Sequence, residues 1–386
     1  MARLGPRARG QARAWAELLR LPALFTVPGD ALAGAAAIGV RPNSRTLLAI
    51  GSSLCLYEAG MALNDWADRA EDAVERPHRP LPSGRIRPAA ALAAAGALTA
   101  AGLALADRAG RPALAVAVPL AATVWAYDLT LKRTPAGPVA MAMARGLDVL
   151  IGATATGVTS RSGHVLPGVT AACRTARPAF PSALALATHT LAVTMVSRGE
   201  TQGGSPVAPL AAVATTGALA WALANGPAGT GRPGHPAVAR SQPAGDTPTA
   251  PEPTPLGGTK ARLGQAPGAT PSPSPGPSPG PGPGPGPGPG PGPGPGPGPR
   301  PSPTPMTDTL RGALTLAYAA TSARPLFHAA LNPSPPLTQR AVGGGIRAMI
   351  PLQATLAARA GAPVTALLTA ALAPAARRFA RKVSVT

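Results

Sequence analysis

Asn64, Asp68 and Asp72 follow one another at intervals of four residues, immediately after an apolar stretch of the chain. On a helix this spacing places the three side chains on nearly one side, where their oxygens repel one another unless a cation lies among them. Oxygen ligands of this kind suit Mg²⁺, which proteins commonly hold through one or two carboxylates together with substrate phosphates. Arg76 and Arg79 follow, and guanidinium groups bind phosphate in a bidentate manner. The pattern therefore predicts a magnesium and diphosphate site.

The acidic residues are concentrated to a degree that chance placement explains poorly. The chain has 386 residues with 15 Asp and Glu against 35 Lys and Arg, yet five of the acids lie between Asp65 and Glu75. A solvated, salt-bridged helix is the alternative, since Arg76 lies four residues after Asp72. That alternative leaves Asn64, the regular spacing and the position at the end of an apolar run unexplained, so the metal site is favoured.

Overall composition argues against a water-soluble globule. Hydrophobic residues make up 45% of the chain and charged residues only 13%, whereas soluble domains carry about 25% charged residues. A net charge of +20 could indicate nucleic-acid binding, but only 3% of residues are aromatic and the arginines flank apolar runs. We therefore expect a lipid bilayer and no nucleic acid as a partner. Two widely separated cysteines indicate neither a disulfide framework nor a zinc site.

Long apolar runs recur along the chain and approach the length of about 20 residues that spans a membrane. They predict an all-α, polytopic transmembrane bundle of about nine spans, with eight to ten as the range. The last run forms either one span or two separated near Gly361 and Pro363. The runs cover residues 22–40, 47–63, 89–106, 111–127, 137–158, 180–197, 207–225, 310–331 and 341–375.

The same pattern divides the chain into four segments. A basic cytoplasmic segment (1–20) precedes a transmembrane bundle (21–226) that contains spans one to seven and the acidic loop 64–88; a Pro/Gly-rich insert (227–306) and the C-terminal spans with a basic tail (307–386) follow. In the insert Gly recurs at every second position, which excludes a collagen triple helix and predicts an extended, disordered loop.

The first 40 residues resemble a signal peptide, but Pro28 and Asp30 favour an uncleaved first span.

Basic residues in the short loops predict the orientation. Those before the first span, between Arg69 and Arg87, at Lys132 and Arg133, and at Arg198 fall on one side if the spans alternate. The positive-inside bias makes that side the cytoplasm. We expect the bilayer to be the inner, or plasma, membrane. Basic residues between 159 and 179 depart from this pattern.

The stretch "NDWADRAEDAVERPHRPLPSGRI" resembles the acidic signature of the UbiA-type intramembrane prenyltransferases. The match covers Asn64, Asp65, Asp68, Asp72, Arg76, Pro77, Arg79, Pro80, Leu81 and Gly84. "LLRLPALFTVPGDALAG" and "YDLTLKR" are similar to the first span of that family and to the element after its fourth span.

The resemblance implies a helical bundle open to lipid, in which two Mg²⁺ ions hold a polyprenyl diphosphate whose prenyl group passes to an aromatic or other small acceptor. By this resemblance Asn64, Asp65, Asp68 and Asp72 would bind metal, with Asp68, Asp72 and Lys132 catalytic. Arg76, Arg79, Tyr127, Lys132 and Arg133 would bind the diphosphate.

One feature of that family is missing. A second Asp-rich motif is expected near the end of the sixth span, where this chain reads "HTLAVTMVSRGETQGGSP" and Glu200 is the only acid. Glu200 is a candidate replacement as a metal ligand and catalytic carboxylate, with Arg198 binding diphosphate; a polar loop that caps the span is the alternative. This stretch and "GGGIRAMIPLQATLAARAG" resemble the EboC-like branch of the superfamily.

Ionisable residues within the apolar runs are costly and usually face a cavity or a partner. Arg145 and Asp148 are spaced to neutralise one another or to contact substrate, and His189 fits a hydrogen-bonded interior histidine. Asp30 and Glu58 either line the chamber or pair with an arginine.

Two other function classes remain open on the sequence. A non-catalytic carrier of isoprenoid lipids on the same fold would fit the missing acidic motif. A solute transporter would be expected to have repeat-related halves with broken spans, and the sequence has no such symmetry.

Overall fold

The computed structural model describes residues 5–157, 168–199, 205–226 and 305–383, which form a bundle of helices. The α-helices are α1 Pro6–Leu18, α2 Pro28–Ala37, α3 Ser44–Ala67, α4 Arg69–Glu75, α5 Pro88–Ala109, α6 Arg111–Ala126, α7 Gly137–Thr156, α8 Gly168–Ala176, α9 Phe180–Ser197, α10 Val207–Asn225, α11 Pro305–Leu331, α12 Pro335–Arg359 and α13 Pro363–Val383. Short 3₁₀ segments lie at Leu21–Thr26 and Arg177–Ala179, and a π-helical turn at Tyr127–Leu131 extends α6.

Six helical stretches in the described residues are long and apolar enough to cross a membrane: Ser44–Ala67, Pro88–Ala109, Arg111–Leu131, Gly137–Thr156, Ala172–Ser197 and Val207–Asn225. This confirms the predicted all-α transmembrane class. The count of about nine spans stays a prediction. The run 341–375 belongs to two helices, because α12 ends at Arg359, Gly361 turns with φ +76°, and α13 begins at Pro363. The predicted insert lies outside the described residues, apart from its last two positions.

Small residues bring the central helices close together. A Cβ atom at Gly34 of α2 would overlap the backbone of α7 at Val149, and one at Gly152 of α7 would overlap α2 at Ala31. Gly102 of α5 packs in the same way against Leu56 of α3. Such small-residue contacts let helices pack in a membrane, where the hydrophobic effect gives no drive for association.

Hydrogen bonds between helix ends define two ends of the bundle. Arg20 contacts Asp65, Lys132 contacts Asp68, and the Arg198 guanidinium donates to the carbonyl of Thr134, so the segments around these residues share one end. At the opposite end, the Asn43 amide donates to the carbonyl of Thr156. The basic segments near Arg20, residues 69–87, Lys132 and Arg198 thus lie at one end of the bundle, as the charge pattern predicts.

Candidate active site

The acidic segment starts inside α3 and continues beyond its end. The helix stops at Ala67, Asp68 caps it, and α4 begins at Arg69. The backbone N–H of Asp68 still donates to the carbonyl of Asn64 at 2.9 Å, and that of Asp72 to Asp68 at 2.8 Å. Asn64, Asp68 and Asp72 therefore occupy successive turns, although the helix is interrupted between them.

Asp72 and Asp65 are almost completely buried, and arginines bind both. Asp72 Oδ2 lies 2.7 Å from Arg79 Nη1, and its Oδ1 lies 3.4 Å from Arg76 Nη1. Asp65 Oδ1 is 3.1 Å from Arg20 Nη2 and 3.6 Å from Arg79 Nη1. Arg79 thus links the two carboxylates, and the predicted metal ligands lie beside predicted diphosphate ligands.

Asp68 and Asn64 contact the end of α6. Asp68 Oδ1 lies 2.6 Å from Lys132 Nζ and 3.2 Å from Arg133 Nη2, while the Asn64 amide donates to Asp128 Oδ1 at 3.0 Å. The π-helical turn contains Asp128, and Lys132 follows the turn directly. Asp128 and Lys132 are four residues apart, as are their partners Asn64 and Asp68. The structure therefore brings the acidic segment and the "YDLTLKR" element together.

Arg20 and Asp128 are site residues that the sequence reasoning missed. Both carry a signal in the sequence: Arg20 is the last basic residue before the first span, and Asp128 directly follows the apolar run 111–127 within the "YDLTLKR" element.

The loop after α4 is anchored by two apolar side chains. Leu81 and Ile86 are buried in a small core with Leu18 of α1 and Leu63 of α3. Gly84 between them has φ +72°, in the left-handed region that favours glycine. The anchored loop holds Arg76 and Arg79 beside the acidic segment, which accounts for the Leu81 and Gly84 positions of the signature.

Arg85 ties the same loop to α1. Its Nη1 and Nη2 atoms lie 2.7 and 3.1 Å from the two carboxylate oxygens of Glu17, and Nη2 also donates to the carbonyl of His78 at 2.6 Å. The hydrogen bond from Arg85 lowers the pKa of Glu17. This bidentate ion pair holds α1, which precedes the predicted spans, against the loop.

A cavity of about 250 Å³ begins beside this cluster and extends into the bundle. Ser53 and Asn64 of α3 both line it, and eleven helical residues correspond to about 16 Å. Polar and apolar groups share its wall: Arg20, Ser53, Leu56, Tyr57, Gly60, Met61, Asn64, Leu120, Val124, Tyr127, Asp128, Ala140, Met141, Ala144, Arg145 and Asp148.

The polar groups inside the bundle confirm one expectation from the sequence, that Asp30 pairs with an arginine. The arginine is Arg145 of α7, whose direct ion pair is thus with α2 and not with Asp148 on its own helix. Asp148 instead accepts a hydrogen bond from Ser53. The crossing of α2 and α7 brings Asp30 to Arg145, and a local i, i+3 spacing could not reveal this contact.

Two further interior predictions have clear outcomes. His189 is 1% exposed and contacts the Tyr318 hydroxyl at 3.1 Å and the Gly345 carbonyl at 3.0 Å, which confirms an interior hydrogen-bonded histidine. Glu58 neither lines the cavity nor pairs with an arginine, and its two buried oxygens have no hydrogen-bond partner among the described residues.

The donor chemistry of the cluster fits Mg²⁺, although the carboxylates are not gathered around one point. In the described ranges no three His, Cys, Asp or Glu side chains are grouped so that they could hold a metal ion. The cluster holds six acids, Asp65, Asp68, Glu71, Asp72, Glu75 and Asp128, among five bases, Arg20, Arg76, Arg79, Lys132 and Arg133. This mixed cluster suits the joint arrival of Mg²⁺ and diphosphate, because the cation can bind the carboxylates while the anion binds the basic side chains, so that no charge is left without a partner.

The remaining predicted site residues lie at the same end or outside the described part. Tyr127 lines the cavity. Arg198 is exposed, and its Nη1 donates to the carbonyl of Thr134 at 2.7 Å, two residues after Lys132. Glu200 lies outside the described residues, so its replacement of the missing acidic motif stays a prediction.

Comparison with known families agrees with the geometry of this end of the bundle. The model of the family described as "UbiA prenyltransferase family" matches residues 23–231, which include the acidic segment, the "YDLTLKR" element and every residue of the cavity lining except Arg20. The EboC-like branch stays a prediction.

Two named relatives share shorter stretches. The digeranylgeranylglyceryl phosphate synthase of Methanothrix thermoacetophila is 38% identical over 115 residues, which are 30% of this chain and 43% of that protein. The bacteriochlorophyll synthase 33 kDa chain of Cereibacter sphaeroides is 36% identical over 87 residues, 22% of this chain and 29% of that protein. The chain thus covers less than half the length of either relative.

A solved structure supports the fold. The apo structure of a UbiA homolog from Aeropyrum pernix K1 aligns with a TM-score of 0.52 and 14% identity, over 86% of this chain and 96% of that chain. At this identity the likeness concerns the helical arrangement alone.

Proposed function

Because this chain belongs to the UbiA prenyltransferase family, we propose that it transfers the prenyl group of a polyprenyl diphosphate to a small acceptor, aromatic or otherwise, within the membrane. The proposal includes Mg²⁺ as the metal and the inner membrane as the location, with the acidic end facing the cytoplasm. The observation that carries it is the cluster of six acids and five bases beside a mostly apolar cavity.

The chain's own residues divide the work between the two regions. Arg76, Arg79, Lys132 and Arg133 bind the diphosphate, because cations on two elements converge there. Mg²⁺, held by Asp68 and Asp72 with Asn64 and Asp65 beside them, would supply positive charge to the leaving diphosphate.

The cavity would hold the prenyl group and keep water away from it during the reaction. When the bond between the prenyl C1 and the diphosphate oxygen breaks, the electron pair leaves with diphosphate and the prenyl group becomes an allylic cation. Leu56, Leu120 and Val124 exclude the water that would otherwise capture this cation. The acceptor oxygen or carbon then forms the new bond, and Asp148, at the deep end beside Ser53, is a carboxylate placed to take the released proton.

A second candidate is a protein that binds isoprenoid diphosphates without cleaving them. One observation favours it: each carboxylate among the predicted metal ligands already contacts a cation of the chain. Such pairs would let a diphosphate displace the carboxylates from the arginines without any metal.

The two candidates are separated by an assay of the full chain purified in detergent. Geranylgeranyl diphosphate is supplied with Mg²⁺ or with EDTA, and released diphosphate is measured alongside binding of the uncleaved lipid. We expect Mg²⁺-dependent release that falls about a hundredfold or more in Asp68→Asn and Asp72→Asn, the scale on which removal of one electrostatic contact lowers a rate. Asp107→Asn, an exposed position on α5, is the matched control.

Several outcomes would contradict the proposal. Tight binding without release, unaffected by EDTA, would establish the binding protein instead. Unchanged release in both aspartate variants would remove the acidic segment from the mechanism.

A further inference from the structure

A second cavity, of about 400 Å³, lies between the C-terminal helices and the 3₁₀ segment Leu21–Thr26. Its lining is mostly apolar and includes Phe25, Leu314, Ile346, Ile350 and Ala373. Two charged side chains complete it, Arg347 of α12 and Arg377 of α13, and no acidic residue lines it.

These two arginines differ from those at the active site. Arg20, Arg76, Arg79 and Arg145 each contact a carboxylate. Within the described ranges, Arg347 and Arg377 are exposed and neither forms an ion pair or a hydrogen bond.

The Arg347 side chain runs back along its own helix. A Cβ atom added to Gly343, one turn earlier on α12, would lie 3.3 Å from Arg347 Nη1. The glycine thus leaves room for the guanidinium against the helix.

We propose that this second cavity binds the phosphate headgroup of an anionic membrane lipid, with a hydrocarbon chain along the apolar lining. Two unpaired guanidinium groups that line one apolar cavity are placed to bind an anion together, and arginine is well suited to phosphate. The predominantly apolar wall selects an amphiphile over a soluble phosphate ion, which would gain nothing from Phe25, Ile346 or Ile350.

The lipid site is separated from the active-site cavity by a short polar chain. Gln353 Nε2 donates to the carbonyl of Thr26 at 2.7 Å and to Asp30 Oδ1 at 2.8 Å, and Asp30 pairs with Arg145. Thr26 lines the second cavity and Arg145 lines the first. The two sites are therefore distinct, and lipid binding can be measured without any turnover.

The test uses the full chain delipidated in neutral detergent, with native mass spectrometry of the lipids it retains. The probes are phosphatidylglycerol, phosphatidylcholine of the same acyl chains, and inorganic phosphate; the last is followed by thermal shift. We expect retention of phosphatidylglycerol over phosphatidylcholine, with that preference reduced roughly 30-fold in the double variant Arg347→Gln/Arg377→Gln, since each basic residue near an anionic lipid contributes a factor of about five.

Three further variants make the result specific. Arg340→Gln, on the exposed part of α12 outside the lining, should keep the preference, and Arg347→Lys/Arg377→Lys should keep most of it because the charge remains. Ala373→Trp fills the cavity while leaving both arginines, and should lose retention of the lipid.

Equal retention of the two lipids by the unaltered chain would overturn the proposal. So would an unchanged preference in the glutamine double variant or in Ala373→Trp. A thermal shift with inorganic phosphate as large as that with phosphatidylglycerol would show a simple anion site in place of a lipid site. Loss of prenyl transfer has no bearing on any of these readouts, so failure of the proposed function and failure of the lipid site are distinguishable.

Discussion

Asp30 has no exposed surface, although it is an acid within the membrane bundle. Its two oxygens accept hydrogen bonds from Gln353 and Arg145, so the carboxylate is satisfied by α12 and α7. A buried ion pair of this kind adds little stability compared with an apolar replacement, but removal of one partner strands the other charge.

We therefore predict that Asp30→Asn alone destabilises the protein by about 3 kcal/mol or more, whereas Asp30→Asn combined with Arg145→Gln loses much less than the sum of the single changes. The measurement is a double-mutant cycle of thermal unfolding in detergent, with Asp107→Asn as the control. Strict additivity of the two changes would mean that the pair is not coupled.

The ion pairs at the edge of the active-site cluster are exposed to solvent, unlike the buried pair of Asp30 and Arg145. The Arg133 side chain is 66% exposed and that of Glu71 is 49% exposed, and such surface pairs contribute only about 0–1 kcal/mol. Asp72, with 3% of its side chain exposed, is held by two arginines. Asp65 is likewise buried and held by two arginines, so the charges of these two carboxylates are the ones that the surrounding structure stabilises, which agrees with a functional role.

At the scale of the element, the loop between α4 and α5 decides where the diphosphate ligands lie. Leu81 and Ile86 fix it to α1 and α3, Arg85 fixes it to Glu17, and Gly84 allows the turn between them. The loop therefore acts as a rigid support for Arg76 and Arg79.

Gly84→Ala tests that support. A Cβ atom there has open space but needs the left-handed conformation, so we expect a loss of about 1 kcal/mol and weaker binding of the prenyl diphosphate. Thermal unfolding and diphosphate affinity are the measurements. Gly96→Ala is the control: this glycine lies inside α5 with equally open space, and the change should be neutral or stabilising by up to about 1 kcal/mol. Equal effects of the two substitutions would argue against a conformational requirement at Gly84.

At the scale of the whole molecule, the long connection between α10 and α11 is expected to be dispensable. Deletion of residues 231–304 should leave expression and prenyl transfer nearly intact, because loop closure changes by only about 0.6 kcal/mol for each doubling of length. Membrane yield and diphosphate release of the shortened chain check this. A large loss of activity with normal yield would assign the Pro/Gly tract a function.

The sequence by itself determined the class of the fold and the chemistry of one end of the bundle. The predicted runs 180–197 and 207–225 have the same bounds as α9 and α10, because the length of an unbroken apolar run sets the helix that can lie in a membrane. Asn64, Asp68 and Asp72 could be predicted as a group from the sequence, because a spacing of four residues along the chain places side chains on successive helical turns.

Only the tertiary structure decided which side chains meet across helices. Local spacing suggested that Arg145 would neutralise Asp148, yet the close crossing of α2 and α7 at Gly34 and Gly152 brings Asp30 to Arg145 instead. The contacts of Asn64 with Asp128 and of Arg20 with Asp65 depend in the same way on which helix ends are neighbours. Packing between segments that are distant in the chain decides which of several possible partners each charged side chain contacts. The residue pattern within a single segment does not contain this information.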